Sequence, residues 1–158
     1  MKELEQNKKL LEELRECDAM LENITEITSL EKDVQISPWS EKNFKDALSA
    51  DNLFKIFKYK KKLVGFYVAL FAADECQLLN IAVKSQHQNK GIGQKLLTSL
   101  KKNCRSFDVA SIFLEVRASN KMAIKLYEKN GFNELGIRNN YYKIGDNWEN
   151  GILMGAEL

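Results

Sequence analysis

Apolar residues early in the chain fall at Leu4, Leu10, Leu14, Cys17, Leu21 and Ile24. Spacings of about three, four and seven describe a helical stripe. Asp18 caps helices well, so a second amphipathic helix can begin there and carry Leu21, Ile24, Ile27 and Leu30. Pro38 and Trp39 punctuate the chain, and Ser40 has the chemistry to cap a short helix through Phe44 and Leu48. The period then changes. Leu53 to Tyr59 interleaves aromatic and β-branched residues with Lys, Lys60-Lys61-Lys62 makes a basic turn, and Leu63 to Phe71 reads as a hairpin partner. Asp74-Glu75 turns the chain again into a third strand, Gln77 to Val83, apolar almost throughout except at Asn80.

After the polar run Lys84 to Lys90, a helix starts near Gly91 with Ile92, Leu96, Leu97 and Leu100 on one face. Ile112 to Val116 is a strand following a helix, so it forms a βαβ unit with the Gln77 strand, the two strands parallel. Asn120 caps another helix carrying Ala123, Ile124, Leu126 and Tyr127, which Asn130-Gly131 stops. Phe132 to Arg138 and Ile152 to Ala156 read as two closing strands around a loop. No repeat, low-complexity tract or linker interrupts the pattern, which predicts one mixed α/β domain.

Composition narrows the class. A chain of 158 residues fits one domain, and 44% hydrophobic residues can close a core. A net charge of +2 excludes a wholesale nucleic-acid or polybasic membrane binder. One proline and eight glycines exclude long disordered or collagen-like stretches. Cys17, Cys76 and Cys104 are odd in number and widely spaced, which suits reduced thiols and a cytoplasmic location. His87 is the single histidine, so no metal site is expected, and no signal peptide or membrane span is predicted.

Four places carry candidate chemistry. Gln88-Asn89-Lys90-Gly91-Ile92-Gly93 joins a strand to a helix, where glycines admit a ligand and free amides attract phosphate. It is neither a Walker loop nor a dinucleotide fingerprint, and a plain turn accommodates it equally well. Glu115 lies inside Ile112-Phe113-Leu114-Glu115-Val116, where a carboxylate is costly unless one face of the strand is solvated. Tyr127 is a core tyrosine or a placed phenol, and Asn120 is first of all a cap.

Taken together, these pieces resemble a known superfamily. Leu79-Asn80-Ile81-Ala82-Val83, the loop above, Leu114-Glu115-Val116-Arg117-Ala118-Ser119-Asn120 and Ala123 to Phe132 occur in the order seen in GNAT acyl-CoA N-acetyltransferases. Their pyrophosphate loop reads Gln/Arg-x-x-Gly-x-Gly/Ala. The Leu-Glu-Val-Arg-Ala-Ser-Asn stretch, Ile137 to Tyr142 and Pro38 to Phe44 are similar to the bacterial ribosomal-protein-alanine N-acetyltransferases. Ser85, His87 and Asn89 depart from that pattern; Asn89 stands where a basic residue is common, shifting phosphate contacts toward Lys90 and backbone amides.

The resemblance implies a single α/β (α+β) domain: a mixed, mostly antiparallel sheet of about six or seven strands, about four helices, and a splayed parallel strand pair. It implies a first strand over residues 11–17, residues 1–9 as an extension and 10–158 as the N-acetyltransferase domain. It further implies acetyl-CoA as co-substrate, with Glu115 as general base and Tyr127 as general acid. Ile81, Ala82 and Val83 would hold the pantetheine arm like an added strand. Asn89, Lys90, Gly91, Ile92, Gly93 and Gln94 would cradle the pyrophosphate, and Asn120 would bond the pantetheine. Trp39, Tyr141 and Tyr142 would receive the acceptor, the N-terminal peptide of a small-subunit ribosomal protein. Glu41 and Glu134 either meet basic residues of that peptide or are solvated surface charges. Direct nucleic-acid contact, a membrane and a metal are not expected, and a monomer is. Two alternatives stand beside this one: acetylation of another amine (a lysine side chain, a polyamine or an aminoglycoside), and a non-catalytic CoA-binding sensor.

Overall fold

The structure, a computed structural model, describes residues 1–158. In chain order its elements are α1 (Lys2–Glu13), β1 (Arg15–Asp18), α2 (Ile24–Val34), α3 (Glu41–Ser49), β2 (Leu53–Tyr59), β3 (Lys62–Ala72), β4 (Glu75–Val83), α4 (Ile92–Ser106), β5 (Ser111–Arg117), α5 (Lys121–Lys129), β6 (Asn133–Ile144) and β7 (Asn147–Glu157). The strands form a seven-stranded sheet ordered β1-β2-β3-β4-β5-β7-β6. β4 and β5 run parallel, Glu75 to Leu78 opposite Ser111 to Leu114. The pairs β1–β2, β5–β7 and β6–β7 are antiparallel. The mixed sheet and its parallel pair are as expected; the helices number five, the addition being α1. Two compact units divide the chain.

The first unit is Met1–Val68 with Asn80–Leu96. The α2 stripe of Ile24, Ile27 and Leu30 is buried, as its spacing requires. Ser40 caps α3 through a reciprocal pair: Asn43 N–H donates to Ser40 Oγ at 3.1 Å, and Ser40 N–H to Asn43 Oδ1 at 2.9 Å. Trp39 stacks on Phe44 at 5.2 Å, one residue before the cap against the fourth helical position. That staple fixes the angle at which the Trp39 loop enters the helix. Phe44 in turn meets Phe66 edge-on at 5.4 Å in the core.

The start of the chain corrects the expectation of a strand over residues 11–17. Helix α1 continues through Glu13, and β1 begins only at Arg15. Its Leu, Glu and Lys residues are strong helix formers, and burying Leu10 anchors the helix. Asp18 is no helix cap either. It ends β1 opposite Lys55, whose Nζ lies 2.6 Å from its carboxylate.

The second unit is Ala69–Leu79 with Leu97–Leu158. Ile112, Leu114 and Val116 of β5 are buried, while Phe113, Glu115 and Arg117 alternate onto the half-buried face. Asn120 caps α5 by accepting the Ala123 N–H at 3.2 Å. The two closing strands are longer than Phe132–Arg138 and Ile152–Ala156. They run together to a tight turn at Gly145 (φ +58°), so Tyr141 and Tyr142 lie on β6 rather than in a loop. Register shifts at Glu134/Gly136 and Arg138/Tyr142 break the alternation that would have marked this extension.

Candidate active site

In the first unit, the expected pyrophosphate loop has the backbone such a site needs. Asn89 and Gly91 take positive φ (60° and 89°), and the first turn of α4 closes with Lys95 N–H donating to Gly91 O at 3.2 Å. The amides of Ile92 and Gly93 therefore have no acceptor within the helix. A side chain at Gly91 would lie 3.1 Å from Leu11 Cδ1 on top of its φ penalty, so any substitution there is strained. Ile92 is buried and offers its amide alone, whereas Lys90 is half-buried with its ammonium as a local cation. Burial, and then Lys90 and Lys84, push the His87 imidazole down from its ordinary value.

Two glutamines tie down the β4 segment that precedes this loop. Gln88 Nε2 donates to Val83 O at 2.9 Å, and Gln35 Nε2 donates to Ile81 O at 3.2 Å. Ala82 is buried between them. The register between β4 and β5 ends at Leu78 opposite Leu114, ahead of Ile81–Val83 and of Glu115.

In the second unit, Glu115 is gathered with three aromatic and cationic neighbours. Its side chain is 15% exposed, and Arg138 Nε lies 3.0 Å from Oε1. The Tyr141 hydroxyl also hydrogen-bonds this carboxylate, which pushes the Tyr141 phenol up from its ordinary value. Arg138 lies over the Tyr141 ring at 5.2 Å, and Arg117 lies over the Tyr142 ring at 4.5 Å. The two tyrosine rings meet at right angles, 5.0 Å apart. Burial raises the Tyr142 phenol, and the nearby Glu115 charge adds to the effect.

Tyr127 is buried on α5 against Phe132 at 5.7 Å. Burial, with Tyr142 as a lesser neighbour, drives its phenol well above the ordinary range. It therefore holds its proton at neutral pH, the state a proton donor needs. Asn120 commits its side-chain oxygen to the cap and keeps its amide NH₂ as a donor. Glu115, Tyr127, Tyr141 and Tyr142 thus fall within one electrostatic neighbourhood of the second unit. Trp39, Ile81–Val83 and the loop of residues 89–94 belong to the first.

Residues 10–132 match the acetyltransferase (GNAT) family. The chain belongs to that family. It is 40% identical over 129 residues to the [ribosomal protein bS18]-alanine N-acetyltransferase of Escherichia coli K12, covering 82% of this chain and 87% of that protein. It is 32% identical over 145 residues to the Haemophilus ducreyi protein of the same name, covering 88% and 100%. The crystal structure of the E. coli ribosomal-protein-S18-alanine N-acetyltransferase matches with a TM-score of 0.86 at 35% identity, over 91% of this chain and 93% of that one. Arabidopsis thaliana Naa50 in complex with the bisubstrate analogue CoA-Ac-MVNAL shares the fold, with a TM-score of 0.81 at 20% identity over 92% and 99%.

Beyond the expected residues, this GNAT chain carries a buried polar network around Glu31. Glu31 is 1% exposed, and its Oε2 accepts from Trp39 N–H at 3.0 Å and from Asn80 Nδ2 at 2.6 Å. Its other oxygen is buried without a partner. Burial raises its carboxyl above the ordinary 4.5, against the lowering effect of its hydrogen bonds. Glu31 therefore joins the Trp39 loop to the strand that continues into Ile81. One signal for it is in the sequence: it stands four residues after Ile27 and seven after Ile24, on the apolar face of α2. Arg138 also lies outside the expected residues, and its place three residues before Tyr141 gives no sign that it reaches Glu115.

Proposed function

We propose that this chain transfers the acetyl group of acetyl-CoA to the N-terminal α-amine of a ribosomal protein, an alanine in the relatives' case, with Glu115 as general base and Tyr127 as general acid. The placement of Glu115 carries this reading: a mostly enclosed carboxylate with a hydroxyl and a cation on it, one electrostatic step from a buried phenol. The relatives' names support the choice of acceptor.

An N-terminal α-ammonium has a pKa of about 7.7–8.0, against about 10.4 for a lysine side chain. Roughly a tenth of it is already neutral at pH 7, so a carboxylate acting directly or through one water is base enough. Glu115 takes one proton from the ammonium. The freed lone pair then forms the C–N bond to the thioester carbonyl as the C–S bond breaks. Tyr127 gives its proton to the departing thiolate. Nitrogen loses a second proton as the amide forms, which restores the phenol, and the proton on Glu115 returns to solvent.

Acetyl-CoA supplies the activated acyl group. The residues that fit it are the amides of Ile92 and Gly93 with Lys90 for the pyrophosphate, and the tied segment Ile81–Val83 for the pantetheine. Asn89 and Gln94 flank that cradle, and the Asn120 amide serves as a further pantetheine donor. Trp39, Tyr141 and Tyr142 receive the acceptor.

A thiol-release assay tests this with acetyl-CoA and two peptides, one with a free N-terminal alanine and one N-blocked with an internal lysine. Thiol release with the first alone is expected. Release with the blocked peptide would move the assignment to a lysine acceptor, and release with neither would favour a CoA-binding sensor.

A further inference from the structure

We propose that Arg138 is a positioning residue that occupies, on Glu115, the place the acceptor's α-ammonium takes, so that the acceptor enters by exchanging one cation for another. This rests on the reading of Glu115 as the base.

The sheet explains how Arg138 reaches that place. Glu115 pairs with Leu153 of β7, and Leu153 with Gly136 of β6, so the three lie in line across the strands. Arg138 follows Gly136 by two residues and therefore projects from the same face. Gly136 contributes no side chain, and a Cβ there would meet nothing within 4 Å, which leaves the diagonal open. Tyr141 completes the seat by lying under the guanidinium while its hydroxyl bonds Glu115. The charged and titratable groups facing this carboxylate are Arg138, Tyr141 and Tyr142 from β6; β7 presents Leu153, and Arg117 of β5 is turned onto Tyr142.

The chemistry makes the exchange necessary. A guanidinium cannot surrender its proton in a protein, so Glu115 paired with Arg138 holds a cation but accepts nothing from it. An α-ammonium in that place is a cation that can be deprotonated. Arg138 is 54% exposed along its side chain, and exposed ion pairs are weakly held, so an incoming ammonium can compete. The pair then keeps the carboxylate oriented until the acceptor arrives. A neutral amine, or an ammonium that cannot reach Glu115, leaves Arg138 in place.

The test is Arg138→Gln, with Arg138→Lys beside it, in kcat and KM for the alanine peptide at saturating acetyl-CoA. Removing the competing cation should lower the acceptor KM about two- to fivefold, with kcat moving less. Arg138→Lys should restore both toward the parent values. Unchanged acetyl-CoA affinity shows that the variants are folded. A raised or an unmoved acceptor KM in Arg138→Gln overturns the proposal. Glu115→Gln separates the two readings. Full turnover in that variant would overturn the base assignment and this exchange with it. Lost turnover together with an unmoved Arg138→Gln overturns the exchange alone.

Discussion

Glu31 and Glu115 are both inward-facing carboxylates, and their surroundings are opposite. Glu31 meets only neutral donors, a backbone N–H and an amide, and is shut away from water. Glu115 meets a guanidinium and a phenol and keeps a path to solvent. A carboxylate enclosed with neutral donors is good at holding groups in place and poor at exchanging protons with an arriving ligand. One with a displaceable cation and an open side can do both. The difference suits Glu31 to architecture and Glu115 to the base role proposed for it, although both sit next to expected site residues.

Three variants can break that division. The largest effect is expected from Glu115→Gln, which keeps shape and removes the proposed base: turnover should fall about a hundredfold or more with acetyl-CoA affinity little changed. Steady-state kinetics with a CoA-binding titration read both, and equal turnover would erase the contrast. Glu31→Ala strands the Trp39 N–H and the Asn80 amide in a buried pocket. Its stability should fall by about 2–4 kcal/mol in urea unfolding. A loss near zero would mean that the network holds nothing.

The smallest and sharpest expectation concerns pH. The Glu31 carboxyl is raised above 4.5 by burial, so the folded chain binds that proton more tightly than the unfolded chain does. Its contribution to stability is fully present below the unfolded value and is lost as pH climbs through the raised folded value. Glu31→Gln, which has no proton to lose, should show no such fall in urea midpoints taken across that window. Parallel curves for the parent and the variant would show that Glu31 titrates normally.

Much of the fold was legible because local signals agreed with one another. Ser40 and Asn120 are caps in the structure as their chemistry predicts. Lys60 and Lys61 make a left-handed two-residue turn between two clearly patterned strands (φ 49° and 66°). The strand-helix-strand pattern around Gly91 also gave the parallel pair. At the start of the chain the Leu-Glu-Lys pattern holds helix through Glu13, and the strand implied by the resemblance is present but begins only at Arg15. The β6–β7 extension was missed for a different reason. Asn139, Asn140 and their neighbours are exposed on both faces, so no alternation of apolar and polar residues marks the strand.

Within the candidate site, the residues that the sequence alone marks as candidates are those with both a chemical type and a motif around them: Glu115, Tyr127, Asn120 and the glycine loop. Arg138 and Glu31 act through partners distant in sequence. Arg138 reaches Glu115 across two strand pairings, and Glu31 reaches Asn80 from a helix 49 residues earlier. No local pattern encodes such a pairing, because register between strands and helix docking decide it.

The proposed function requires that the acceptor be a protein α-amine. Mass spectrometry of small-subunit ribosomal proteins, isolated from cells with and without this chain, tests it most directly. The result expected is one acetyl group, present only when the chain is present, on the N-terminus of a single protein. Identical spectra from the two preparations, or an acetyl group found on a lysine side chain instead, would contradict it.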